Sequence, residues 1–374
     1  MKNTTTLYGF ELKKIFKNKL FLAIFIFSVL MTFVEGFAPS LTMAKDIRDA
    51  QKILDGRVID DELLSEMYPN IIENGTVWDD SNREFLSLAT FVKNLVGGSA
   101  NFSDYSAKQL YKIREERFAE MYKDDLTEGE MKWWQEKLNV GVPYTYYDNC
   151  GTLTLSQGFS GLLLCIMLIA ALCLSTVFTV EHRQRTDQIV LSCRNGRKET
   201  YFAKLFAGLS VVTGFCLFTA VTLTIIVSLL YGLGGLEAPV QLEVPMSAYT
   251  FTMGEFIIVQ FVIMVTSAIL FAVFAMAVSE LLKNSMAVMG IMIGIFVFGQ
   301  LEVIPDRYRV LNQMKSMLPS NQVSVWALME HRLIKIGSHY VSGYVSSPVI
   351  YIVISLILIV AGYISYNRFQ VTGR

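Results

Sequence analysis

The chain has 374 residues, 53% of them hydrophobic, with a formal net charge of −1. Only 17% are charged, against roughly 25% in soluble domains, which argues for a membrane protein and against a soluble enzyme or a nucleic-acid binder. The five cysteines, at positions 150, 165, 173, 193 and 216, include no C-x-x-C pair, so neither a disulfide framework nor a thiolate metal site is expected.

Residues 1–19 carry Lys2, Lys13, Lys14, Lys17 and Lys19. On a helical wheel Tyr8, Leu12, Ile15 and Phe16 share one narrow arc, with Lys13, Lys14 and Lys17 opposite, as in an amphipathic helix lying in a membrane interface. The plainer alternative is a basic flank that orients the first span, and both readings put the N-terminus in the cytoplasm. The apolar run 20–37 is too long for a signal-peptide core, and Phe37-Ala38-Pro39 makes a poor cleavage site, so it reads as a retained span.

Six runs, 20–37, 159–180, 205–233, 256–278, 286–304 and 349–366, approach the roughly 17–25 residues that a helix needs to cross a bilayer core. Glu35 and Glu302 each fall within a turn of a span's outer end, and no charge falls near a midplane, which speaks against a proton relay. Basic residues crowd the N-terminus, the 181–204 loop, the turn at Lys283 and the tail 367–374. The 234–255 connection has none and carries Glu237, Glu243 and Glu255. By the positive-inside rule both termini are cytoplasmic in a multi-pass protein of the plasma membrane. The connection 305–348 holds five Lys or Arg against that pattern, but the alternation of six spans puts it outside.

The insertion 38–158 holds thirteen Lys or Arg against twenty-one Asp or Glu, an acidic balance suited to an extracellular domain. It is long enough for its own core and reads as mainly helical. Ile47, Ala50, Ile53 and Leu54 are spaced for one face, and Leu110, Ile113, Phe118 and Met121 lie on a charged helix. Thr127-x-x-Glu130 is a capping box opening the next helix. Asn74-Gly-Thr76 and Asn101-Phe-Ser103 match glycosylation acceptors, and Val142 to Tyr147 could lie at the headgroup level.

The fifth span contains Gly290, Gly294 and Gly299, whose spacing suits close helix packing, either within the chain or between subunits. In 305–348, Met317-Leu-Pro-Ser320 followed by Val323 to Ile336 reads as a short helix, either re-entrant or in a surface hairpin. No phosphate loop, His-Glu-x-x-His or Gly-x-Ser-x-Gly motif occurs, so no catalytic residue, bound cofactor or metal is assigned. His182, His331 and His339 are each expected in solvated positions. The whole reads as an all-α polytopic membrane protein: six transmembrane helices, an N-terminal interfacial helix, and a helical extracellular domain between helices 1 and 2.

The 181–204 loop carries the strongest functional signal. Thr186 to Cys193 can form two helical turns, Asn195-Gly196 supplies a left-handed stop, and Arg197-Lys198 begins the next helix. Ile189 and Leu191 offer apolar area, and Arg183, Arg185, Arg194 and Lys198 offer charge, for a docking partner; the same basic residues could serve topology alone.

Val180-Glu181, Ile189-Val-Leu-Ser192, Arg194-x-x-Arg197 and Lys204 together resemble the first cytosolic loop of ABC-2-type transporter permeases, with Arg185-Thr186 where the family usually has glycine-threonine. Phe10-Glu-Leu-Lys-Lys-Ile-Phe16 resembles that family's amphipathic elbow helix, and Leu318-Pro319 its outer hairpin. The resemblance implies a coupling helix, with Glu181, Arg183, Arg185, Asp187, Ile189, Leu191, Arg194, Arg197 and Lys198 facing a separate ABC ATPase that binds ATP and Mg. It further implies a second permease subunit and export of an amphipathic peptide, antibiotic or lipid, as in permeases of Gram-positive bacteria. The competing reading is a membrane receptor or immunity protein whose acidic external domain captures a cationic ligand.

Overall fold

In a computed structural model the described residues are 2–42, 45–70, 83–97, 105–184, 186, 197–301, 304–305 and 307–368. The chain begins with α1 (Lys2–Phe16) and α2 (Lys19–Thr42). The insertion follows, with α3 (Lys45–Gln51), α4 (Asp61–Met67), α5 (Leu86–Val96), α6 (Ala107–Met121) and α7 (Glu128–Leu138). Next comes α8 (Cys150–Ile169), which passes through a wide π turn at Ala170–Leu174 into α9 (Thr176–Gln184). Two long helices, α10 (Lys198–Leu230) and α11 (Met253–Leu282), precede the shorter α12 (Ser285–Gln300). The chain then forms α13 (Arg309–Ser316), α14 (Pro319–Gln322), an antiparallel hairpin of β1 (Leu333–Ile336) and β2 (His339–Ser342), and α15 (Gly343–Arg368).

Among the described residues five helices are long and apolar enough to cross a membrane, at Lys19–Ser40, Cys150–Glu181, Lys198–Leu230, Met253–Leu282 and Gly343–Arg368. The run expected at 286–304 is helical only as Ser285–Gln300, 16 residues, so six full-length spans are not seen. The α8–α9 rod is the centre: 72% of its most apolar stretch is buried, against 28% for α2 and 22% for α15. Those outer helices leave Leu22, Ile26 and Leu30, and Val349, Leu356 and Ile357, exposed. Apolar area on that scale has no solvent in water and suits lipid.

Several helices begin earlier than the apolar runs do. α8 starts at Cys150 rather than 159, and α10 at Lys198 rather than 205. Hydropathy marks where side chains turn apolar, whereas backbone hydrogen bonding continues into the polar flanks.

The insertion does not stand alone. One buried cluster, including Leu63, Leu88, Val92, Leu110 and Tyr146, also takes in Met246 from the 231–252 connection. Phe118, Tyr122, Trp134 and Leu138 instead join the core of the bundle. The helix expected over 323–336 is replaced by a 3-10 turn at Val325–Met329 and strand β1. Tyr144 and Tyr146, expected near headgroups, are buried in the insertion, and on α6 Leu110 and Phe118 are buried while Met121 is exposed.

The capping box forms as expected: Thr127 Oγ1 accepts from Glu130 N, and the Glu130 carboxylate accepts from Thr127 N. That carboxylate, 2% exposed, also pairs with Arg309 at 2.5 Å and accepts from Leu333 N at 2.9 Å. These bonds outweigh its burial and hold the carboxyl below the usual range. Arg114, fully buried, donates to the carbonyls of Pro245 (2.7 Å) and Ser247 (2.6 Å) and to Tyr144 Oη (2.7 Å), fastening α6 to the 231–252 connection.

His331 corrects the expectation of a solvated histidine. It is buried among the rings of Phe118, Tyr122, Trp134 and Tyr249. Its Nδ1 lies 2.9 Å from Met329 O, and its Nε2 accepts from Ala248 N at 3.0 Å. That pairing selects the neutral tautomer with the proton on Nδ1. Burial pushes its pKa down to about 3, because the charged ring would be desolvated.

Candidate functional site

At the opposite end of the bundle, Glu181 near the end of α9 and Lys204 in the second turn of α10 close the base of the 181–204 loop. Lys204 Nζ lies 2.8 Å from Glu181 Oε1 and also donates to Val177 O at 2.8 Å. The Lys204 side chain is 1% exposed, and its ammonium sits 5.3 Å from the Phe178 ring centre. A lysine this enclosed is stable only with its charge paired and its protons bonded. The pair joins two positions 23 residues apart, so the loop leaves the bundle from a closed stem.

The N-terminal helix reaches the same carboxylate. Lys14 on α1 lies 3.5 Å from Glu181 and 2.7 Å from Glu11. α1 packs along α10, with Ile15 buried and Tyr8 Oη donating to Ser210 Oγ at 3.0 Å. Tyr8 and Leu12 both pack against the bundle core. Phe16, expected on the same arc, is 57% exposed and meets Phe21 edge-on instead. The apolar stripe of α1 therefore faces the protein over Tyr8, Leu12 and Ile15, because α10 supplies the surface that the wheel assigned to lipid.

Of the residues expected to dock a partner, Arg183, Arg197 and Lys198 are exposed at this end. The Arg197 guanidinium donates to Asn367 O, and Tyr201 Oη to Ile359 O at 2.9 Å, tying the stem to α15. Arg185, Asp187, Ile189, Leu191 and Arg194, with the helix expected over 186–193, lie outside the described residues apart from Thr186, as do both glycosylation motifs. The Thr186 amide caps Glu181 O at 3.0 Å.

Two residues absent from the expected docking set belong to the cluster. Lys14 had been assigned to the polar face of α1, and Glu280, at the end of α11, is 6% exposed and interacts electrostatically with Lys204 and Glu181. A charge just beyond a span was the available signal for Glu280, but sequence alone does not say which other charge it meets.

The glycines of α12 divide. A Cβ on Gly299 would lie 2.6 Å from Ser320 Oγ, a close approach of α12 to α14, whereas Gly290 and Gly294 have nothing within 4 Å. Packing within the chain therefore explains Gly299 and not the other two. Among the described residues no group of three or more His, Cys, Asp or Glu is arranged to hold a metal.

No curated protein and no solved structure matches the chain. A family model described as "ABC-2 family transporter protein" matches residues 5–370. With long apolar helices throughout and a basic loop closed by a buried pair, the chain belongs to the ABC-2 family of transporter proteins and is a multi-pass membrane permease.

Proposed function

We propose that this chain is the membrane subunit of an ABC exporter that moves an amphipathic peptide, antibiotic or lipid outward. A separate ATPase, carrying ATP and Mg, docks on the cytoplasmic 181–204 loop, and a second permease subunit completes the pathway. The sequence has no phosphate loop with which to bind the nucleotide itself. Both termini and the loop then lie in the cytoplasm of a bacterial cell, with the insertion outside.

The observation that carries this reading is the Lys204–Glu181–Lys14 cluster. It connects the stem of the docking loop to α1, α9 and α10, so a force applied at the loop is passed to three helices rather than absorbed in a slack connection. A partner shifts the spans only if it binds their two arrangements unequally, and a closed stem is what lets a docked ATPase distinguish them. Reversing charge at Arg183, Arg194 and Lys198 is expected to reduce co-purification of the ATPase at least tenfold while leaving stability within about 0.5 kcal/mol, as for exposed surface changes. Unchanged co-purification sinks the proposal and favours the receptor reading.

A further inference from the structure

A cavity of about 580 Å³ lies where the insertion meets the bundle, walled by the end of α2, by α5, by residues 146–149, by the start of α8 and by the 231–252 connection. Its volume falls within the range of sites for drug-sized molecules, roughly 300–1,000 Å³. Glu35, Asp148 and Glu243 all line it, and among the described residues no Lys, Arg or His does. The carboxylates of Glu35, which lies against Gly161 of α8, and of Glu243 have neither a hydrogen-bonding nor an ionic partner among the described residues, while the Asp148 carboxylate accepts from Cys150 N at 3.3 Å. Arg48 and Lys52 are close enough to act on Asp148, but their direct contacts are with other groups: Arg48 lies over the Tyr231 ring at 4.9 Å, and Lys52 pairs with Asp49 at 3.3 Å.

The rest of the wall suits the body of an organic cation. Phe91, Tyr146 and Tyr147 present rings, and aromatic faces attract ammonium and guanidinium groups. Gln51 is 3% exposed and lines the same cavity, yet among the described residues its Nε2 has no acceptor. A buried amide donor without a partner costs stability, and a turn of the Gln51 side chain toward the cavity would bring it to an acceptor on a ligand. The larger cavity, about 1050 Å³ beneath the 305–342 segment, differs in kind: Lys315 and Arg332 line it with Glu330, and Glu330 already pairs with Arg332 at 3.0 Å.

We infer that the smaller cavity binds an amphipathic organic cation, its charged group held by Glu35 and Glu243 and its apolar body by Phe91, Tyr146 and Tyr147. Burial pushes the Glu243 carboxyl up, and pushes the Asp148 carboxyl up against the weaker opposing pull of the Cys150 amide, Lys52 and Arg48. As a cargo site the cavity rests on the permease reading; as a binding site it does not. Binding can therefore be tested on the full chain without any ATPase, and loss of ATPase docking would leave this result untouched.

The test is equilibrium dialysis of the full chain in neutral-lipid nanodiscs with labelled dodecylammonium and, separately, labelled dodecyl sulfate, each against empty discs. Saturable binding of dodecylammonium above the empty-disc level is expected, with none for dodecyl sulfate. The double variant E35Q/E243Q should weaken it at least tenfold, whereas K315Q in the other cavity should not change it. If E35Q/E243Q folds poorly, Thr90→Trp provides an independent block, because Thr90 is exposed on α5 and lines the cavity. Equal uptake by empty discs, or unchanged binding in a folded E35Q/E243Q or Thr90→Trp chain, overturns the inference.

Discussion

At the end of the bundle that carries the insertion, Arg114, Glu130 and His331 are each buried and each bonded to segments distant in sequence. At the other end, among the described residues, Lys204 is an enclosed charge, paired with Glu181, while Lys14 and Arg197, which tie the same stem to α1 and α15, are exposed. The first end is over-determined, since several independent polar contacts hold one arrangement. The second combines one enclosed pair with exposed ties that compete with water, which suits a surface that responds to a partner. The contrast matches a division of labour in which one end keeps its shape and the other transmits movement.

The largest disruption should come from Arg114→Ala. Removing the buried guanidinium leaves Pro245 O without its donor, leaves Ser247 O only its bond from Gln241 Nε2, and opens a large cavity, a loss of about 3–5 kcal/mol. Thermal unfolding followed by tryptophan emission should show it. Arg114→Lys should rescue little, since an ammonium lacks the planar fork.

At the opposite end Lys204→Met should cost less, about 1–3 kcal/mol, because Glu181 lies near the surface and regains some hydration. The double variant K204M/E181Q should recover most of that stability yet still fail to stimulate the partner's ATPase, which is read by phosphate release. Full stimulation in the double variant would show that the closed stem is not needed for coupling.

The ends should also differ in pH response. His331 is neutral when folded, with a pKa pushed down to about 3 by burial, while its unfolded pKa is about 6.5. Above pH 6.5 neither state is protonated and the group adds no pH dependence. Between about 6.5 and 3 the unfolded chain binds the proton and the folded chain does not, so stability falls as pH falls, by at most about 1.4 kcal/mol per unit. Unfolding midpoints of wild type and His331→Phe between pH 7 and 5 should diverge, with the variant flatter. Parallel curves would place the acid sensitivity elsewhere.

The smallest effect is expected for Gly290→Ala, which meets no atom within 4 Å. Replacing a helical glycine should stabilise slightly, by about 0.5–1 kcal/mol. A fall in self-association by light scattering would instead identify this face as an interface between subunits.

Much of the framework was legible in the residues. Lengths of apolar sequence located the long helices, because a bilayer demands them, and Thr127-x-x-Glu130 announced a helix start, because its bonds are local. The end that carries the 181–204 loop was legible as a basic stretch after Glu181. Lys14 and Glu280 were not, since each meets its partners across a fold that local spacing does not encode. His331 looked like a solvated residue beside Glu330 because adjacency says nothing of the rings that enclose it. The 323–336 segment differs from its expected helix for a similar reason: its apolar residues suit a helix by composition, but in the fold the segment is fastened to α8 and α11, where Val323 O accepts from Ser160 Oγ and Gln260 Nε2.

The sequence by itself determined the class of this protein, the number of apolar runs and the polarity of its connections, because hydrophobicity and charge act residue by residue. Tertiary structure alone decided that Glu181, Lys204 and Lys14 meet, that the insertion shares a core with the bundle, and that Glu35, Asp148 and Glu243 line one cavity. Those contacts join residues tens to hundreds of positions apart, and only the packing of the helices brings them within reach.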